Sequence, residues 1–289
     1  MQVLRTRAEW RAATNAVRSA GGTIGFVPTM GALHRGHQSL LDVARGACDA
    51  VAMSIFVNPL QFNDPEDIAR YPRPLEKDLD IAGAAGCDLV FVPEVTEIYP
   101  SFPEMPATTV RVAGPALGFE GADRPGHFDG VATVVTLLFE LTGPCRGFFG
   151  EKDFQQVAVV TQMVRDLGMP VEVVPCPTVR ESDGLALSSR NVRLSPEGRT
   201  HAAVFSRSLR LGKELLSEGV SVDDVETSMA NEIAAEPTVT LFYAVCVDPI
   251  TLQPVRQSDH NGEVQLLVAG EVDGVRLLDN MRAHRSDAA

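Results

Sequence analysis

The chain has 289 residues, 45% hydrophobic and 22% charged, which is ordinary globular usage and excludes a disordered or collagen-like chain. Its 25 basic and 38 acidic side chains leave a formal charge of −13, which argues against nucleic-acid backbone or anionic lipid as a general partner. A small anionic substrate would need a local cationic pocket, and the length fits about two domains at roughly 150 residues each.

The N-terminus carries Arg5, Arg7, Glu9, Arg11 and Arg18 with no apolar core between them, so no signal peptide is expected there. Thr23–Pro28 is a short apolar run bounded by Gly22 and Pro28, a buried strand. His37–Asp49 places Leu40, Leu41, Val43, Ala44 and Ala47 at helical period. Ala50–Val57 is a second strand, ended by Asn58-Pro59. Leu75–Gly86 reads as a helix and Asp88–Val92 as a third strand. Phe128–Leu141 is a mostly apolar helix, followed by strand Gly147–Phe149, helix Phe154–Leu167 and strand Val171–Val174. This alternation implies a parallel sheet with helices on both faces.

The pattern changes after about residue 180. Pro196–Gly219 and Val222–Ala235 read as two consecutive helices, then Thr238–Val247, Glu263–Ala269 and Gly274–Leu278 as strands. Helices and strands in blocks suggest a separate, smaller α+β domain. The expected division is 1–180 and 181–289. The longest strongly apolar stretch, Gly130–Phe139, is too short to span a bilayer. Five widely spaced cysteines without a Cys-x-x-Cys pair point to reduced thiols, a cytoplasmic setting and no zinc framework.

Three clusters carry chemistry. The first strand runs into Met30-Gly31-Ala32-Leu33-His34-Arg35-Gly36-His37 and then a helix, where doubly wound folds bind phosphates. Gly31 and Gly36 fit a Walker A spacing, but His37 and Gln38 replace its Lys and hydroxyl; Gly-x-Gly-x-x-Gly is absent. That leaves His-x-Gly-His, the signature of adenylyl-transferring nucleotidyltransferases, or a pair of helix-capping histidines. The second cluster, Gly150-Glu151-Lys152-Asp153, puts one of only three lysines at a helix start; it reads as an anion site with Asp153 toward ribose, or as an ordinary acidic first turn. The third, Leu187-Ser188-Ser189-Arg190, suits a triphosphate tail, or forms a hydroxyl-rich loop leading to Ser195-Pro196. Asn58, Gln61 and Gln156 are neutral amides near element ends, suited to a polar substrate or to turns.

The motifs PTMGALHRGH (28–37), SIFVNPLQF (54–62), ARYPR (69–73), RPGHFDGV (124–131), FFGEKDFQQV (148–157), VRESDGLALSSRN (179–191) and RLLDN (276–280) occur in one order. Together they resemble the pantothenate synthetase (pantoate–β-alanine ligase) family over nearly the whole chain. The resemblance implies a Rossmann-like, nucleotidyltransferase-type catalytic domain, a C-terminal lid, a cytoplasmic homodimer and a requirement for ATP with Mg2+. By the same resemblance Met30 through His37, Gly150 through Asp153, Val179 and Leu187 through Arg190 meet ATP. The resemblance also makes His37 similar to the family's proton donor, and Gln61 and Gln156 similar to the glutamines that hold pantoate, Gln61 also toward β-alanine. From their chemistry His34, His37, Lys152 and Arg190 are the expected catalytic donors, and Asn58 is a further candidate for substrate binding. Asp78 is a candidate magnesium ligand. Leu187 stands where the family usually has methionine, and Pro144-Cys145-Arg146 replaces a Pro-Asp pair, both at apolar or scaffold positions. The rival readings are another adenylyltransferase with the same histidine signature, or a nucleotide-binding regulator without turnover.

Overall fold

The computed structural model describes residues 1–63, 65–255 and 262–285. The chain divides into two compact units, one of Met1–Gly150 with Gln155–Pro177, the other of Glu151–Phe154 with Thr178–Ala289.

The first unit contains β1 (Gln2–Leu4), α1 (Arg7–Ser19), β2 (Ile24–Thr29), α2 (Arg35–Ala47), β3 (Ala50–Ile55), α3 (Pro65–Arg70) and α4 (Leu75–Ala84). Next come β4 (Leu89–Phe91), α5 (Val95–Ile98), α6 (Phe119–Asp123), α7 (His127–Thr142), β5 (Cys145–Gly150), α8 (Phe154–Asp166) and β6 (Val171–Cys176). The six strands form one sheet in the order β1-β4-β3-β2-β5-β6, and every neighbouring pair is parallel. Strand residues alternate between two cores, as the period of two requires. On β3, Val51, Met53 and Ile55 join Leu40, Leu41 and Ala44 of α2. Ala52 joins Trp10 of α1 and the apolar side of α7, including Val131, Val135 and Leu138. Both faces are therefore covered by helices, which explains strands that read as continuous apolar runs.

The sequence reading assigns no element before residue 23, yet β1 and α1 are present. Thr6 and Glu9 form a reciprocal capping box at the start of α1. Trp10 stacks on Phe91 with centroids 5.1 Å apart, and its indole N–H donates to Thr142 Oγ1 at 3.0 Å.

The second unit contains α9 (Pro196–His201), α10 (Val204–Ser217), α11 (Val222–Ala234), β7 (Val239–Val247), β8 (Gly262–Val272) and β9 (Val275–Arg285). The strands form an antiparallel sheet in the order β7-β8-β9. Leu209 and Leu216 of α10 and Val225 and Met229 of α11 pack against Leu266 and Val268 of β8. The single helix expected over 196–219 is two, because the bonds tighten at Ala202–Ala203: Ala203 N–H donates to Thr200 and Phe205 N–H to Ala202. The strand expected over 274–278 runs on to Arg285, past the buried Asp279 and Asn280. No helix among the described residues is long and apolar enough to cross a membrane.

Candidate active site

In the first unit β2 is the strand at which the order reverses: β3 lies on one side and β5 on the other. The crevice beyond the carboxyl ends of such strands is where doubly wound sheets take ligands. Met30–His37 leaves the carboxyl end of β2 directly into α2.

This loop is held open by unusual backbone. Gly31 has φ +82° and Ala32 φ +51°, two left-handed residues in succession. A Cβ on residue 31 would lie 2.8 Å from Asp78 Oδ2, so only glycine fits. Asp78, on α4 and 1% exposed, accepts Ala32 N–H at 2.8 Å and Leu33 N–H at 2.7 Å. Asp78 thereby anchors this loop, and the sequence expectation of a magnesium ligand falls on the same carboxylate, each of whose oxygens already accepts one amide.

α2 begins at Arg35 rather than at His37, because His34 is its cap. His34 Nδ1 accepts Gly36 N–H at 3.1 Å, and His37 Nδ1 accepts His34 N–H at 3.3 Å. The ring centroids are 4.2 Å apart. An amide can only donate, so each Nδ1 presents a lone pair and each neutral ring carries its hydrogen on Nε2. The capping reading and the phosphate reading of these histidines are compatible. Capping is what fixes both rings as Nε2–H donors.

Beyond β3, the 3-10 turn Pro59–Gln61 is capped by Asn58. Asn58 Nδ2 donates to Gln61 Oε1 at 3.1 Å and to Gly130 O at 3.0 Å, while its Oδ1 accepts Tyr99 O–H at 2.8 Å. The polarity of the Gln61 amide is thereby set, with Nε2 directed at Met30 Sδ at 3.0 Å. Burial pushes the Tyr99 hydroxyl upward, so it stays a donor. Gly130 allows α7 to approach, since a Cβ there would lie 2.3 Å from Leu60 O. His127 Nδ1 meets Gln61 O at 2.9 Å. Tyr99, His127 and Gly130 support the Gln61 turn without having drawn attention in the sequence; His127 and Gly130 lie in the RPGHFDGV motif, which is the signal that held them.

On α8, Gln155 and Gln156 differ sharply. Gln155 is buried and spends its amide on Glu120 N at 3.1 Å, Pro115 O at 3.0 Å and Gly118 O at 3.1 Å. Gln156 is half-buried and makes no side-chain hydrogen bond among the described residues. Gly150 ends β5 in this unit.

The second unit carries the other expected residues. Lys152 Nζ lies 3.4 Å from Asp153 Oδ1. Asn280 Nδ2 donates to Glu151 O and to Lys152 O, each at 2.8 Å. Val179 O accepts Leu187 N–H at 3.0 Å, and Arg180 bridges to Ala186, so Val179 and the Leu187–Arg190 segment are the two arms of one ribbon. Ser188 Oγ accepts Arg190 N–H at 3.2 Å and caps the 3-10 turn Ser189–Arg193. Arg180 donates to both oxygens of buried Asp279, at 2.6 and 2.9 Å, and to Asn280 O at 3.0 Å. Arg180, Asp279 and Asn280 did not stand out as candidates in the sequence; the VRESDGLALSSRN motif held Arg180, and the RLLDN motif held Asp279 and Asn280.

Burial raises Cys87, Cys145 and Cys246 to about 12, which keeps them protonated.

A two-sided parallel sheet with a loop-to-helix turn at its switch point defines an α/β protein of the nucleotide-binding, doubly wound class. The profile of the Pantoate-beta-alanine ligase family matches residues 2–282, so the chain belongs to that family. The pantothenate synthetase of Paracoccus denitrificans is 48% identical over 285 residues, 96% of this chain and 97% of that protein. A crystal structure of pantothenate synthetase from Thermus thermophilus shares 50% identity with a TM-score of 0.90, over 97% of this chain and 99% of that one. The pantoate-beta-alanine ligase of Francisella tularensis, crystallised with beta-gamma ATP and beta-alanine, shares 32% identity with a TM-score of 0.78, over 97% of both chains.

Proposed function

We propose that the chain condenses pantoate with β-alanine at the expense of ATP, in two steps. The pantoate carboxylate attacks the α-phosphorus, the bond to the bridging oxygen breaks, and pyrophosphate leaves. The β-alanine amine then attacks the acyl carbon of pantoyl adenylate, and AMP leaves. A carboxylate alone is a poor acyl donor, since oxide does not leave; adenylation supplies a leaving group of low basicity. The observation that carries this reading is the capped histidine pair after β2, two oriented Nε2–H donors at the position where the fold takes phosphates.

The first transition state gathers negative charge on phosphate oxygens. His34 and His37 donate to it from fixed rings, and Lys152 and Arg190 supply full positive charge. Met30 through Gly36, Gly150 through Asp153, and the Val179 and Leu187–Ser189 ribbon line the nucleotide. Gln61 and Gln156 hold pantoate by neutral amides, which orient its carboxylate without the strong ion pair that would blunt its attack, and Asn58 keeps the Gln61 amide turned. The second unit acts as the lid of the reaction, since an acyl adenylate must be kept from water.

Magnesium enters with the substrate. Among the described residues no group of three or more His, Cys, Asp or Glu could hold a metal, and the two oxygens of Asp78 already bind amides. A magnesium ion bound by phosphates and water needs no protein cage. The homodimer and the cytoplasmic setting rest on the family resemblance.

The test is isotope exchange between labelled pyrophosphate and ATP. Exchange should require pantoate and proceed without β-alanine, and AMP release should require all three substrates. Exchange that depends on β-alanine rules out the two-step scheme; exchange without pantoate points to another adenylyltransferase.

A further inference from the structure

The GEKD turn is bonded unlike the elements that flank it. β5 ends at Gly150 in the first unit and α8 resumes there at Gln155, but Glu151–Phe154 belongs to the second. A single side chain accounts for much of that. The two N–H bonds of Asn280 reach two successive carbonyls, Glu151 O and Lys152 O, each at 2.8 Å. Carbonyls only accept, so the orientation of the Asn280 amide is fixed. Its Oδ1 in turn accepts Gln265 Nε2 at 2.7 Å, across the β8–β9 ladder. Gln265 Oε1 is left buried without a partner, so the network keeps its polarity despite an unsatisfied oxygen.

The neighbouring residue closes the set. Asp279 is 3% exposed and holds Arg180 by two bonds. The same guanidinium donates to Asn280 O at 3.0 Å and to Gly184 O at 3.0 Å. Arg180 sits beside Val179 in the ribbon that leads to Ser188–Arg190. Two adjacent residues of β9 therefore hold both the Lys152 turn and the Arg190 ribbon, the two sources of positive charge in the proposed reaction.

We propose that Asn280, fixed by Gln265 and flanked by the Arg180–Asp279 pair, is a positioning residue that sets Lys152 for adenylation. This rests on the function proposed above. Asn280 touches no reacting atom; it fixes the backbone from which the ammonium reaches the phosphates. A cation displaced by an ångström stabilises a transition state far less well.

The experiment is a double-mutant cycle on single-turnover pantoate adenylation, with rates normalised to folded protein by circular dichroism. Lys152→Ala should lose about 10²–10³-fold, as for one preorganised donor. Asn280→Ala should lose about 10–10²-fold in the wild-type background. In the Lys152→Ala background, Asn280→Ala should cost less than about twofold, because the group it positions is gone. Gln265→Met removes the donor to Asn280 while keeping volume, and should show a smaller loss with the same non-additivity; it decides the matter if Asn280→Ala does not fold. Losses that multiply in full in both backgrounds overturn the proposal and make the network merely structural. Failure of the wild type to adenylate pantoate would instead sink the function, whatever the cycle shows.

Discussion

Removing the Asp78 anchor tests whether the loop after β2 depends on it. The loop holds Ala32 at φ +51°, a conformation that costs an L-residue about 1–2 kcal/mol. Against this stand two hydrogen bonds from backbone amides to a carboxylate that is 1% exposed. At about 1.5–3 kcal/mol for each bond to a charged group, the pair contributes roughly 3–6 kcal/mol and outweighs the strain. Asp78→Asn keeps one acceptor and turns an NH2 toward the other amide. The remaining bond, to a neutral amide oxygen, contributes about 0.5–1.5 kcal/mol and no longer exceeds the strain, so the active loop is no longer the dominant conformer. Pantoate-dependent pyrophosphate exchange should fall about tenfold to a hundredfold for Asp78→Asn, and further for Asp78→Ala. Melting temperature should fall by less than the full bond energy implies, since the loop can open locally while the sheet stays folded. Wild-type exchange by Asp78→Ala would refute this account. Recovery of Asp78→Asn by raised Mg2+ would show that Asp78 is a metal ligand, and the anchor argument would fall with it.

Gln156→Ala should weaken pantoate binding and leave ATP binding nearly intact; equal losses in calorimetry would contradict its assignment. Tyr99→Phe removes one donor to Asn58 Oδ1 and should raise the pantoate KM severalfold while the ATP KM changes little, whereas a matched rise in both would make Tyr99 a general core residue. In the second unit, His201 Nδ1 lies 2.7 Å from Glu236, which raises the imidazole above its ordinary 6.5, and Arg207 then His201 lower Glu236 below its ordinary 4.5. A raised histidine stabilises fully below 6.5 and loses that contribution as pH climbs through its folded value, while the lowered carboxyl contributes above 4.5. The melting temperature of His201→Gln should therefore lag the wild type most between those two values and converge with it in alkali; a gap that widens with rising pH would contradict the pairing.

How far the sequence reveals the molecule depends on where each signal lies. Strands of the parallel sheet stand out because burial on both faces makes them continuous apolar runs. α1 is less visible, since only Trp10 and Thr14 are buried along it; its clearest mark is the Thr6–Glu9 capping box. The length of β9 is hidden at Asp279-Asn280, where two polar residues end the apolar run. Their burial is tolerable only because Arg180, 99 positions away, and the Lys152 turn, 128 positions away, complete their hydrogen bonds. No local pattern reports such partners. The same limit separates Gln155 from Gln156: the two are chemically identical in sequence, and only the carbonyls of the 115–118 segment show which of them is already occupied.

The histidine pair shows why structural and catalytic readings of one motif need not compete. With Nδ1 of both rings occupied by capping amides, a further proton on either ring must displace a backbone N–H from the start of α2. A ring protonated at Nδ1 cannot make this cap, so the geometry is that of rings with a bare Nδ1. Under the proposed function, uncharged donors of this kind would direct a bound triphosphate without holding pyrophosphate as an ion pair would. His37→Gln can still donate a hydrogen bond, but its Oε1 and Nε2 lie on one amide and cannot cap the helix and face phosphate along opposite edges of a ring. What glutamine lacks here is the geometry of imidazole, which under the proposed function would couple helix start and phosphate contact through a single rigid plane.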